Sequence, residues 1–195
     1  MKHEVVNPSN PNVHSLKELN ALDGTIESII VDSGCCNDSS FTELSMKPYP
    51  CLKSLVIGHT CFAYVKELLL IGMHHLESVK IGTSCFLHKN GCFHVKDCHG
   101  LKELKIGRFS FSDYGVCEIE NVNRLEVIAI GDLKEPSYCF FYASLELRCE
   151  SYKMGVTNRH AKAEISSHWQ LLFRGMPLRC AGESLLPRSL MNRFA

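Results

Sequence analysis

One seven-residue phrase occurs four times in the middle of this chain, at a nearly constant interval. The copies read LKSLVIG, LESVKIG, LKELKIG and LEVIAIG, and they occupy residues 52–58, 76–82, 101–107 and 125–131. Their starts are 24, 25 and 24 residues apart. A regular period in the twenties indicates a solenoid, in which one supersecondary unit is stacked repeatedly and neighbouring units bury a continuous core.

Each copy contains the pattern L-x-x-L-x-I, whose last two apolar residues stand two positions apart. That spacing suits a short β-strand, because alternate side chains of a strand point to the same face. An upstream segment keeps the apolar pattern with Ile26, Ile29 and Val31, although Asp32 replaces the glycine. The sequence therefore predicts about five coils, which begin near residues 26, 52, 76, 101 and 125.

A second apolar pair with the same spacing begins eight residues before each following copy. The pairs are Leu44 with Met46, Leu68 with Leu70, Phe93 with Val95, Cys117 with Ile119 and, after an insertion, Leu145 with Leu147. Each coil is therefore predicted to contain two short strands whose apolar side chains share one core.

A phenylalanine stands between the two predicted strands of a coil, four residues after the glycine. These aromatic residues are Phe62, Phe86, Phe111 and, displaced by the insertion, Phe140. The residues immediately before them are small, namely Cys61, Cys85, Ser110 and Cys139. Stacked rings would fill the turn of the coil, and the serine favours a size requirement over thiol chemistry. The glycines are expected to let the backbone leave the strand in conformations that are costly to other residues.

These units resemble the leucine-rich-repeat family, in particular its BspA-like subclass, whose units contain I-G-x-x-[small]-F followed by a second leucine-rich stretch. The matching residues are Ile57, Gly58, Cys61 and Phe62; Ile81, Gly82, Cys85 and Phe86; and Ile106, Gly107, Ser110 and Phe111. The resemblance covers roughly residues 26 to 150. It implies a β-rich solenoid, a right-handed superhelix of parallel short strands with helical end caps, that is used for protein contacts and has no catalytic residues.

The chain is expected to form one solenoid with two appended ends. Residues 1–25 lack the repeat but contain Leu16, Leu19 and Leu22 at helical spacing, and Ser15 before them is expected to be the N-cap of a short helix. Such a helix predicts an N-terminal cap over the open core. Residues 26–151 are the predicted solenoid. Residues 152–195, with seven basic and two acidic residues, are predicted to be a basic C-terminal extension or cap with a helix near residues 157–174.

Composition narrows the classes of protein that this chain can belong to. It is 45% hydrophobic and 22% charged, which is typical of a folded protein, and its 21 basic residues equal its 21 acidic ones. The first residues lack the apolar core of a secretory signal, and no apolar run is long enough for membrane insertion. A cytoplasmic location with reduced cysteines is therefore expected, with the cell surface as the alternative because members of the resembled family are often surface proteins.

No standard motif for catalysis or for cofactor binding is found in the sequence. It contains no phosphate-binding glycine loop, nucleophile elbow or dinucleotide fingerprint. The densest metal-like cluster comprises Cys92, His94, Cys98 and His99. His94 should face away from the neighbouring apolar residues, so the four side chains should not converge on a metal ion. We therefore expect no catalytic residues, cofactor, metal or small-molecule substrate.

The expected function is that of a non-catalytic scaffold that recognises a protein partner on a strand-lined face. The residue between the two core positions of each first strand should point outward, which gives one column: Ile30, Val56, Lys80, Lys105 and Ala129. Two residues earlier, a second column contains Ser28, Ser54, Ser78 and Glu103. Both columns can equally be ordinary sheet surface. The alternative function is nucleic-acid association, or binding of an acidic partner, through the basic residues 152–195.

A third column carries charges that alternate in sign from coil to coil. It consists of the residue after each leading leucine or isoleucine: Glu27, Lys53, Glu77, Lys102 and Glu126. In a parallel stack these residues would be neighbours across the ladder, so opposite charges would favour the in-register arrangement.

Overall fold

Two sheets of parallel strands enclose one core in the computed structural model of this protein. The structure describes residues 11–131, 138–141, 143–148 and 178–179, with residues 144–148 and 178–179 described by their backbone. The elements in chain order are β1 Asn12–Val13, α1 Leu16–Asn20, β2 Ser28–Val31, β3 Glu43–Ser45, β4 Ser54–Ile57, β5 Glu67–Ile71, β6 Ser78–Ile81, β7 Cys92–Lys96, β8 Glu103–Ile106, β9 Val116–Glu120, β10 Val127–Ile130, β11 Ser144–Arg148 and β12 Leu178–Arg179.

The strands alternate between the two sheets along the chain. In the described part of the chain, sheet A has the order β1-β2-β4-β6-β8-β10 and sheet B has the order β12-β11-β9-β7-β5-β3. Every neighbouring pair is parallel. The protein is therefore a β-solenoid of stacked parallel strands, which confirms the architecture predicted from the repeat.

The repeated phrases stack in register, so equivalent residues lie directly above one another. In sheet A the core position Leu55 pairs with Ile29 on one side and Val79 on the other, and Leu104 and Ile128 continue the column. All five side chains are buried. From β2 to β10 the chain completes four turns. The predicted total of about five coils stays a prediction, because the chain beyond β10 is described only in part.

The helix near the N-terminal end of the solenoid, α1, is shorter than one expected to cover the open core. Ser15 is the N-cap of α1, as predicted, and its hydroxyl accepts the Glu18 amide at 3.3 Å. The helix has five residues, of which Leu19 is buried, and the Tyr49 hydroxyl donates to the Leu19 carbonyl at 2.6 Å. The predicted helical caps stay a prediction, and the helix expected near residues 157–174 lies outside the described residues.

The predicted aromatic column is present and continuous. The rings of Phe62, Phe86, Phe111 and Phe140 stack with successive centroid distances of 5.4, 4.7 and 4.9 Å. Phe93 of β7 joins them at 4.8 Å from Phe111. The four stacked phenylalanines at the turn all have positive φ, between 50 and 58°. This left-handed backbone costs about 1–2 kcal/mol per residue, which the complete burial of each ring offsets.

Three of the four glycines at the ends of the phrases, Gly58, Gly82 and Gly107, are needed for close approach of the coils, which corrects the expectation from sequence for these positions. Only the fourth, Gly131, has a positive φ, of 78°. A Cβ added to Gly82 would lie 2.6 Å from the carbonyl oxygen of Gly58, and one added to Gly107 would lie 2.6 Å from that of Gly82. Real Cβ atoms do not approach backbone this closely, so each of these glycines lets one coil lie on the previous one.

The small residues before the phenylalanines also bond from coil to coil, which the argument from size did not predict. The Cys85 thiol donates to the Gly58 carbonyl at 3.0 Å and accepts the Cys61 amide at 3.5 Å. One coil later, the Ser110 hydroxyl donates to the Gly82 carbonyl at 2.7 Å and accepts the Cys85 amide at 3.0 Å. The position therefore requires a small side chain that donates one hydrogen bond and accepts another.

Replacing Gly82 with alanine should lower the free energy of unfolding by about 2 kcal/mol or more, because two backbones would have to separate. Gly115→Ala is a matched control: a Cβ there would meet only the Asn90 Cα, at 3.9 Å, so stability should change by less than about 0.5 kcal/mol. Urea unfolding of both variants checks this prediction. Equal losses would contradict the role given to close approach.

Cys85→Val should cost about 1–3 kcal/mol of stability, because it leaves the Cys61 amide and the Gly58 carbonyl buried without their partner. Cys85→Ser keeps a donor and an acceptor, as Ser110 does, and should cost less than about 1 kcal/mol. Thermal and urea unfolding of the two variants would measure the difference. A valine variant as stable as the serine variant would show that size alone matters.

Candidate functional site

The outer face of sheet A brings together the residues that the sequence predicted for a contact surface. Its central column, in register across β2, β4, β6, β8 and β10, consists of Ile30, Val56, Lys80, Lys105 and Ala129. Lys80 and Lys105 are exposed, and the other three side chains are partly buried. The alignment follows the predicted register, whereas binding by this face stays a prediction.

The second predicted column lies beside the first on the same face. Ser28, Ser54 and Ser78 pair in order across β2, β4 and β6, and the column continues through Glu103 of β8 to Val127 of β10. The three serines are partly buried, whereas the Val127 side chain is 42% exposed. Small polar side chains thus flank the apolar end of the central column, and a carboxylate follows them on the next strand.

Glu103 is the central charge of this face, a role that the sequence analysis did not identify. Its carboxylate lies 3.1 Å from the Lys80 ammonium, contacts the Lys105 ammonium and accepts the Ser78 hydroxyl at 3.0 Å. The Lys105 hydrogen bond, with those of Lys80 and Ser78, lowers the pKa of Glu103 to about 2. The carboxylate is therefore ionised at neutral pH and partly neutralises the two lysines of the central column.

Two ion pairs of the kind that the pattern predicted form along the column of alternating charges. The Lys53 ammonium lies 2.7 Å from the Glu27 carboxylate, and the Lys102 ammonium lies 2.7 Å from the Glu77 carboxylate. Lys53 and Glu27 are about half exposed, so their pair contributes little to stability. These pairs lie at the N-terminal ends of the strands of sheet A, and the column of five has one more acidic residue than basic ones.

The outer face of sheet B is acidic over its strands β3 to β9. Its outward charges on β3, β5, β7 and β9 are Glu43, Glu67, Lys96, Glu118 and Glu120. Lys96 lies 2.7 Å from Glu118 and 3.8 Å from Glu120. The Nδ1 of His94 lies 2.8 Å from the same Glu118 carboxylate, whose pKa is lowered mainly by the Lys96 hydrogen bond. Over β3 to β9 the outer face of sheet B therefore has more acidic than basic side chains, whereas the two lysines of sheet A outnumber Glu103.

The metal-like cluster in residues 92–99 is not assembled into a site. Cys98 is fully buried and donates to a backbone carbonyl at 3.2 Å, while His94 lies on the outer face beside Glu118. His99 is exposed and stacks on the ring of His74, with 5.5 Å between centroids. Within the described residues, no group of three or more His, Cys, Asp or Glu side chains is arranged to hold a metal ion.

Three of the buried cysteines, Cys36, Cys98 and Cys117, have the character of packing residues. Burial raises the pKa of Cys36 to about 12 and that of Cys98 to about 11, and it also raises the pKa of Cys117. These thiols stay protonated at neutral pH, and a thiol is a much weaker nucleophile than a thiolate. Their environment therefore favours a structural role.

A surface aromatic pair is a further feature that sequence analysis missed. Phe109 and Tyr138 stack with 5.7 Å between ring centroids, and both side chains are exposed. The Arg108 guanidinium lies 5.1 Å from the centre of the Phe109 ring. The sequence did contain a signal for this pair. Both aromatic residues lie two residues before a phenylalanine of the stacked column, at the position where other coils have Thr60 and Ser84.

Comparison of this chain with protein-family models, with curated proteins and with solved structures finds no match. The resemblance to leucine-rich repeats therefore depends on the repeated motif and the solenoid alone. Among the residues that the structure describes, no helix is long and apolar enough to span a membrane. The alternative site in residues 152–195 lies outside the described residues, apart from the backbone of β12, and stays a prediction.

Glu103→Gln should lower the free energy of unfolding by about 1 kcal/mol at pH 7, because two lysines lose their shared partner. The carboxylate has a pKa of about 2 in the folded protein against 4.5 ordinarily, so its contribution is complete above pH 4.5 and is lost as the pH falls through about 2. Urea unfolding at pH 7, 4.5 and 3 should show that the difference in unfolding free energy between the native protein and the variant becomes smaller as the pH falls.

The control for this experiment is Glu43→Gln, which removes the same charge from the outer face of sheet B. It should change stability by less than about 0.5 kcal/mol, since Glu43 is exposed. A Glu103→Gln effect that is the same at every pH would contradict the assignment of the effect to the ionised carboxylate.

Proposed function

We propose that this protein is a non-catalytic scaffold of the leucine-rich-repeat type, BspA-like in its motif, which recognises a protein partner on the outer face of sheet A. The observation that carries the proposal is the in-register central column. It places apolar, basic and small side chains in a fixed order along five neighbouring strands. A surface of this kind offers a partner a defined pattern of contacts.

Rigid support for the column favours recognition. Each outward residue stands between two buried core residues of the same strand, as Val56 stands between Leu55 and Ile57. The core beneath is continuous from coil to coil and includes the stacked phenylalanines. Side chains on such strands lose little backbone freedom when a partner binds, because the backbone is already fixed.

The chemical variety of the face also supports binding. Ile30 and Val56 are apolar and partly exposed, and they lie beside serine hydroxyls that can donate and accept hydrogen bonds. The lysines of the next two strands contact Glu103 and are about half exposed. Apolar contact area bordered by polar and charged groups is the usual composition of a protein interface.

The triple variant Val56→Glu, Lys80→Glu, Lys105→Glu tests the proposal in pull-downs with the tagged protein as bait. Partners of the native protein that bind this face should be lost, because the variant introduces three carboxylates where apolar and basic groups made contact. Circular dichroism should confirm that the variant is folded. Retention of the full set of partners by the folded variant would count against this face.

A matched control for the triple variant is Leu69→Glu, Lys66→Glu, Lys89→Glu. It makes the same change in charge at positions away from sheet A: Leu69 lies on the outer face of sheet B, and Lys66 and Lys89 are exposed. The control should keep the partners that the first variant loses. Loss from both variants would show that net charge, not this face, determines binding.

A further inference from the structure

The central column of sheet A is about as long as a short extended peptide. The five strands from β2 to β10 are about 4.8 Å apart, so the central column is about 19 Å long. A stable interface between two globular proteins buries about 800 Å² on each partner. That area is far larger than the area of a strip that is as long as this column and as wide as one strand. An extended segment of about six residues spans the same distance as the column.

The charge of the face is suited to carboxylates. Lys80 and Lys105 are directly opposite each other, and Glu103 is their common anion, which leaves one positive charge in excess. Both lysine side chains are about half exposed, so their remaining ammonium hydrogens point to solvent or can meet a ligand. A second carboxylate would complete an alternating arrangement of two cations and two anions.

The apolar end of the column can bind an apolar side chain of such a ligand, and its distance from the lysines sets the spacing between that side chain and the carboxylate. Ile30 and Val56 occupy the two strands before the lysines. The middle of the apolar pair lies two strand spacings, about 10 Å, from the middle of the lysine pair. In a polyproline II segment, residues three apart lie on the same side and are separated by about 9 Å. An apolar residue and an acidic residue three positions apart therefore match the face.

We propose that sheet A binds a short extended acidic segment of another protein, which lies along the stack with a carboxylate between Lys80 and Lys105 and an apolar side chain against Ile30 and Val56. This inference rests on the proposed function and adds the chemistry of the partner. From β3 to β9 the face of sheet B has four glutamates and one lysine and would repel the same segment, which favours binding to sheet A. Neither column of the sheet A face, from β2 to β10, contains an aromatic ring for stacking nucleic-acid bases.

The test uses a phage-displayed library of random nine-residue peptides, selected on the full-length protein. The peptides that bind should share an aspartate or glutamate three residues from an apolar residue. A synthetic peptide with the selected sequence is then titrated by calorimetry. Its affinity should fall by about fivefold or more for the double variant Lys80→Gln, Lys105→Gln, because two charge contacts are lost, and should weaken as salt is raised.

Glu103 supplies the sharpest comparison, because its removal acts in the opposite direction. Glu103→Gln removes the competing carboxylate and should raise the affinity for the acidic peptide by about threefold or more. Glu43→Gln, which removes one negative charge from the other sheet, should change the affinity by less than about twofold. Equal gains in the two variants would show that only the net charge of the protein matters, and would overturn the proposal.

The outcomes separate this inference from the function on which it rests. Selected peptides without acidic residues that lose binding in a Val56→Glu variant would overturn the inference and leave sheet A as a protein-binding face. Peptides whose binding is unaffected by Val56→Glu and by both lysine changes would count against sheet A altogether. Acidic peptides that require both the lysines and Val56 would support both proposals.

Discussion

The fold depends on how closely one coil can lie on the previous one at the glycine column. Gly58, Gly82 and Gly107 leave no space for a Cβ, and their amides bond to carbonyls of the preceding coil, as Gly82 does to Ile57 at 2.8 Å. This contact fixes the register of sheet A at its end. Since a shift of one residue would move every core side chain to the outer face, the order of the outward columns follows from the same contact.

The turn after each glycine illustrates how stacking sustains an unfavourable backbone. Phenylalanine does not favour positive φ, yet the column residues adopt it in every described coil that contains them. The rings stack within 4.7 to 5.4 Å from Phe62 to Phe140, and the thiol or hydroxyl one residue earlier bonds to the coil below. The strained backbone therefore persists because ring stacking and these hydrogen bonds act together at each corner.

The sequence was sufficient for the repeat, the two strands of a coil, the aromatic column and the alternating ion pairs, because each follows from a periodicity. The sequence did not allow prediction of contacts between side chains of different columns. Glu103 was placed correctly on the outer face, but its bonds to Lys80 and Lys105 depend on side-chain length and direction. For the glycines, the pattern predicted an unusual backbone conformation, whereas at Gly82 and Gly107 it is a carbonyl of the neighbouring coil that leaves no space for a Cβ.

The position of Glu103 links the stability of the face to its chemistry. Lys80 and Lys105 are paired across neighbouring strands, an arrangement that repulsion between like charges disfavours. The glutamate beside them, in a column whose three preceding strands have serine, relieves that repulsion by contacting both. The same carboxylate occupies the space where an acidic ligand would bring its charge. A residue that stabilises two like charges in the free protein therefore limits how strongly they attract a third group, which is the trade-off expected of a binding surface built on a stable sheet.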